Sequence, residues 1–151
     1  MTKTLWELPG SSSWGGDSKL CELPRRNLAL FVQGAAVGED EFSDGATGED
    51  DLIVFQQVEA YKCTYIFAQT DQMLVAYDKL VDLGETTWLS AVRNRLREYG
   101  EALSSPSGPP DQLKHLMINF DDGPCYEFLC QGFSAERVPS DPERWRVTSV
   151  T

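Results

Sequence analysis

The stretch from Leu113 to Phe133, LKHLMINFDDGPCYEFLCQGF, constrains the fold more than any other part of the chain, because two apolar runs flank a turn dense in Asp, Gly and Pro. That pattern predicts a β-hairpin. The runs carry apolar residues on both alternating faces, which suits central strands covered from two sides. The same segment holds the single histidine, His115, two of the four cysteines, Cys125 and Cys130, and Glu127 among the aromatic and aliphatic neighbours of CYEFLC. Any chemistry is expected to start here.

With Asp122 and Gly123 as a two-residue loop, counting outward pairs Phe120 with Cys125, Ile118 with Glu127 and Leu116 with Leu129. On the other face Asn119 meets Tyr126, Met117 meets Phe128 and His115 meets Cys130. A His beside a Cys is the minimal geometry for an activated thiolate, since the imidazole can take the thiol proton. The structural alternative is a buried thiol that only packs and a histidine satisfied by a backbone or carboxylate partner. Register decides between them: a slip of one residue, which Pro124 could force through a longer loop, leaves His115 opposite Leu129.

Glu127, in that register, shares a face with Phe120, Ile118 and Leu129. Burial raises a carboxyl pKa, so Glu127 is a candidate general acid or base beside a pocket lined by Tyr126 or Tyr65. The competing role is an ion pair with Arg93, Arg95 or Arg97 of a neighbouring helix. Asp121 and Asp122 resemble a paired carboxylate, but Asp before Gly is what a tight turn requires. Cys125 and Cys130 are separated along one strand by roughly 17 Å and face opposite ways, so they cannot chelate one ion. No metal centre and no cofactor is expected, and the sequence contains neither a P-loop, nor a dinucleotide-binding glycine motif, nor a nucleophile elbow.

The formal charge of −11 disfavours nucleic acid and anionic membranes as partners. Much of it is concentrated between Glu39 and Asp51, where seven acids occur with no base. DEFSDGATGEDD, Asp40 to Asp51, matches an EF-hand loop only in part: Phe42 stands at position three and Asp51 replaces the bidentate Glu. The alternatives are a solvated loop or a recognition surface for a basic protein, with Glu39, Asp40, Glu41 and Asp44 steering the partner and Phe42 anchoring it.

Residues 1–18, rich in Ser and Gly, are expected to be irregular, and 19–151 to form one α+β domain. Asn27–Gln33 reads as a buried strand, and Leu52–Ala68 as a bent strand or two. Helices are expected from Asp71 to Gly84, on the spacing of Met73, Leu74, Tyr77, Leu80 and Val81, and from Thr86 or Thr87 to Gly100, on Trp88, Leu89, Val92, Leu96 and Tyr99. Residues 145–150 suggest a short edge strand. The expected architecture is α+β, a mostly antiparallel sheet of about four to five strands with two helices on one face.

An apolar fraction of 41% and no long apolar run or secretory leader predict a soluble, cytoplasmic protein with reduced thiols. The reading favoured by sequence is a small non-catalytic interaction protein, inhibitor-like or immunity-like, engaging a basic protein partner through its acidic loop. The alternative is an enzyme or ligand-binding domain with a pocket between helices and sheet that uses His115, Glu127 and Cys130. Trp88 and the N-terminal indoles could equally cover a homo-oligomer interface.

Overall fold

The computed structural model describes residues 2–10, 17–34, 48–100, 109–121 and 123–146. In chain order the strands are β1 (Lys3–Glu7), β2 (Ser18–Leu23), β3 (Asn27–Val32), β4 (Glu49–Gln56), β5 (Ala60–Thr64), β6 (Lys79–Asp82), β7 (Lys114–Asn119), β8 (Cys125–Cys130) and β9 (Gly132–Pro139). One α-helix, α1 (Thr87–Gly100), lies between β6 and β7. The strands form two antiparallel sheets, ordered β1-β6-β7-β8-β5 and β2-β3-β4-β9. The fold is therefore mainly antiparallel β, in two sheets and with one true helix among the described residues.

The expected hairpin exists and is central: β7 and β8 have neighbours on both sides. Its inner face, Leu116, Ile118, Tyr126, Phe128 and Cys130, packs against Leu28, Leu30, Val32, Ile53 and Phe55 of the second sheet. Phe55 stacks on Phe128 with ring centroids 3.7 Å apart, both fully buried, at the middle of the contact between sheets. Truncating such a ring costs about 3–5 kcal/mol, so this stack is a principal anchor of the fold.

The outer face of the hairpin is covered by two separate caps. Leu89 of α1 packs with Leu113 and Leu129, with Trp88, Val92 and Leu96 alongside. Ala76, Met73 and Leu83 pack on Val81, Met117 and Cys125. The second cap is the segment read from sequence as a helix from Asp71 to Gly84. It is instead a 3-10 turn, Asp71–Ala76, followed by β6. Leu74 and Tyr77 of the supposed apolar stripe are exposed, whereas Leu80 and Val81 are both buried, on opposite faces of β6. Asp78, at φ 55, takes a left-handed conformation that ends any helix, and Asn119 ties the turn down by donating from Nδ2 to the carbonyl of Met73.

Other differences have similar local causes. Lys3–Glu7, within the segment expected to be irregular, pairs with β6, and Trp6 packs against the main core. Leu52–Ala68 divides at Gln57, whose φ of 53 turns the chain from one sheet into the other. The polar stretch after Phe133 forms β9, which shows only Phe133 and Ala135 to the core. Trp145, expected to begin an edge strand, ends a 3-10 turn, Pro142–Trp145, while 147–150 lie outside the described residues.

Candidate functional site

Between the two caps a polar strip runs across the outer face of the hairpin. Its geometry follows from the register, in which Lys114 faces Cys130, His115 faces Leu129 and Met117 faces Glu127. This is one residue away from the pairing expected of a two-residue loop. Pro124 has no N–H to give to a ladder, so the loop runs from Phe120 to Pro124 and closes with Gly123 N–H donating to the Phe120 carbonyl at 3.3 Å.

The slip separates His115 from Cys130 and overturns the thiol dyad. Cys130 points into the core between the sheets, with no exposed surface, and burial pushes its thiol up to about 12. It cannot supply a thiolate near neutral pH. Tyr126 lies on the same inner face and its hydroxyl meets Ser18 Oγ at 3.1 Å, so it does not line a pocket with Glu127. Tyr65 is exposed. Glu39, Asp40, Glu41, Phe42 and Asp44 lie outside the described residues. The neighbouring acids, however, belong to β4: Asp50 pairs with Arg144 at 2.7 Å, and Asp51 with Arg137 at 3.5 Å.

What the register does bring together is His115 and Glu127, both on the outer face and diagonally adjacent. His115 Nε2 lies 3.0 Å from Glu127 Oε1, and His115 Nδ1 lies 2.7 Å from Thr86 Oγ1. Both hairpin residues are buried. Burial alone would raise the Glu127 pKa, as expected from sequence. Here the hydrogen bond from His115 dominates, assisted by the charges of His115 and Lys62, and holds the carboxyl below its ordinary value. None of Arg93, Arg95 and Arg97 serves as its partner: Arg93 pairs with Glu85 and donates to the Leu113 carbonyl, Arg97 pairs with Asp111, and Arg95 lies over Tyr99.

The direction of each hydrogen bond follows. An ionised carboxylate only accepts, so Nε2–H donates to Glu127. With the imidazole neutral, Nδ1 carries the lone pair and Thr86 Oγ–H donates to it. Thr86 Oγ1 in turn accepts the N–H of Leu89 at 3.2 Å, which makes Thr86 the N-cap of α1. The helix start is thus fastened to the sheet through a carboxylate, an imidazole and a hydroxyl in series.

These groups border a cleft of about 510 Å³, whose walls include Met73, Val75, Leu83 and Met117 on one side and Trp88 on the other. Lys62 faces Glu127 across β5 and β8, and its Nζ lies 3.9 Å above the Trp88 ring. Trp88 also meets His115 edge-on, with centroids 5.1 Å apart. Thr86 was visible in the sequence only as a helix start. Lys62 gave no signal, because its place depends on a strand pairing between distant segments. A second cavity, of about 490 Å³, is bordered by Leu23, Asn27, Val58 and the Arg26–Glu59 ion pair, and it contains no histidine or cysteine.

No family model matches the chain, and no curated protein or solved structure matches it either. Among the described residues no helix is long and apolar enough to cross a membrane.

Proposed function

We propose that this chain is a ligand-binding domain that takes a small amphipathic molecule into the cleft between α1, the Asp71–Ala76 turn and the hairpin. The observation that supports the reading most is the Thr86–His115–Glu127 chain, buried at His115 and Glu127, bordering a cleft that also presents the apolar side chains of Met73, Val75, Leu83, Trp88 and Met117. Ligand pockets combine this kind of apolar lining with a few convergent polar groups. Lys62 offers the cation for an anionic or strongly polar head, while Met73, Leu83 and Trp88 receive the apolar body. This is the pocket reading of the sequence with Thr86 and Lys62 in place of Cys130. The acidic-loop reading rests on residues outside the described ones.

The test uses 1-anilinonaphthalene-8-sulfonate, an aromatic sulfonate whose fluorescence rises in apolar sites. Val75→Trp, at an exposed rim position of the cleft, should obstruct entry and weaken saturable binding by at least about tenfold, equivalent to ~1.4 kcal/mol. Phe67→Ser, at a fully exposed ring that does not line the cleft, should leave binding unchanged. Binding that survives Val75→Trp but disappears in Phe67→Ser would transfer the site to the exposed aromatic surface and refute the cleft.

A further inference from the structure

We propose that Thr86 is a nucleophile, and that Glu127, His115 and Thr86 make the cleft an acyl-transfer site for small carboxylic esters. The proposal rests on the ligand-binding reading and gives it a substrate class. Three features carry it. The hydroxyl, imidazole and carboxylate are in series at 2.7 and 3.0 Å. The carboxylate and imidazole are buried while Thr86 is only partly so, which leaves the hydroxyl as the end of the series nearest solvent. The hydroxyl borders a cleft with an apolar wall suited to an acyl chain.

A helix cap alone needs only an oxygen at residue 86. The imidazole adds something a cap does not use, a base placed on the hydroxyl proton and oriented from behind by an ionised carboxylate. A nucleophile, a base and a third group that orients the base are the general requirements for covalent catalysis by a hydroxyl. Thr86 Oγ bonds to the ester carbonyl carbon as its proton passes to His115 Nδ1, and the resulting imidazolium is balanced by Glu127. The negative charge gathers on the former carbonyl oxygen, and Lys62 is the cation bordering the same cleft. The carbon–oxygen bond to the leaving group breaks, and the departing alcohol oxygen takes the proton from Nδ1. Water attacks the acyl-threonine with His115 as base, the acid departs, and the proton returns to Thr86. Ester and water become acid and alcohol, and the protein is regenerated.

The test is p-nitrophenyl butyrate with the full chain, reading p-nitrophenolate release by absorbance and the acyl-protein by intact mass and peptide mapping. The expected result is a burst approaching one equivalent and a butyryl group on Thr86. Thr86→Asn retains a strong capping side chain but has no hydroxyl, and should reduce release by about 100-fold or more. Thr86→Ser should retain activity. Circular dichroism and the sulfonate dye report separately whether the helix and the cleft survive. Undiminished release in a folded Thr86→Asn protein, or a butyryl group on Lys62 or Cys63 in place of Thr86, overturns the proposal. Dye binding without any ester turnover overturns acyl transfer and leaves the ligand site standing, whereas loss of both removes the two together.

Discussion

Replacing His115 with Leu tests the central electrostatic claim, that a buried ionised Glu127 depends on the imidazole. In the wild-type chain Glu127 is held by Nε2 at 3.0 Å, with only 8% of its surface exposed. His115→Leu leaves that carboxylate without its main donor. Leaving a buried charge uncompensated costs about 3–5 kcal/mol, and the lower end is expected because Lys62 faces Glu127 across the strands and supplies some residual charge. Glu127→Leu strands the imidazole N–H instead, an unsatisfied neutral donor worth about 1–3 kcal/mol. The double variant replaces both groups with apolar side chains, so neither penalty remains in full. It should be more stable than additivity requires by about 2 kcal/mol.

The assay is urea unfolding of the four proteins at constant slope, so that midpoint shifts report stability alone. Acidity provides an independent check. The Glu127 pKa is lowered in the folded state, so its contribution is fully present above the ordinary value of 4.5 and is lost as pH falls through the lower folded value. The penalty of His115→Leu should therefore be largest near neutrality and shrink in acid. A double variant that is additive within about 0.5 kcal/mol, or a penalty independent of pH, would falsify the coupling.

Two further outcomes follow from the same structure. Under native conditions a thiol reagent should modify Cys63, which is exposed, while Cys125 and Cys130, both pushed up to about 12 by burial, react only on unfolding; rapid native labelling of Cys130 would contradict its inward orientation. Asp50→Ala removes the carboxylate that accepts from Arg144, Trp145 Nε1 and the Gly34 N–H, and should cost about 3 kcal/mol with a red shift of Trp145 fluorescence; a loss below about 1 kcal/mol would show that the Pro142–Trp145 turn is not held by that pair.

Local patterns in the sequence decide the structure where one element is enough to carry the signal. The hairpin, the strand at Asn27 and the second helix each carry their signal within a few turns or pleats, and Thr86 or Thr87 marks the helix start. The outer strands of both sheets are hidden for a different reason. β9 offers the core only Phe133 and Ala135, β1 and β6 are four or five residues long, and the periodicity from Met73 to Val81 mixes a 3-10 turn with a strand. Helical spacing over so short a span cannot be separated from a turn entering a strand without knowing which side chains are covered.

The register of the hairpin shows how a single residue step redirects the chemistry. The expected pairing places His115 and Asn119 on the face with Tyr126, Phe128 and Cys130, which would bury two polar groups between the sheets and leave Glu127 isolated among apolar residues, Phe120, Ile118 and Leu129 among them, on the opposite face. The observed pairing puts His115, Asn119 and Glu127 together on the outer face and leaves the inner face of both strands apolar apart from the Tyr126 hydroxyl and the Cys130 thiol. Burying a polar group without a partner costs more than a longer loop does. That comparison needs the second sheet to show which face of the hairpin lies between the sheets, and with it in place the observed register is favoured even before Pro124 is considered. The register moves His115 away from a thiol and onto a carboxylate, and leaves the Thr86 hydroxyl at the helix cap as the partner of its other ring nitrogen.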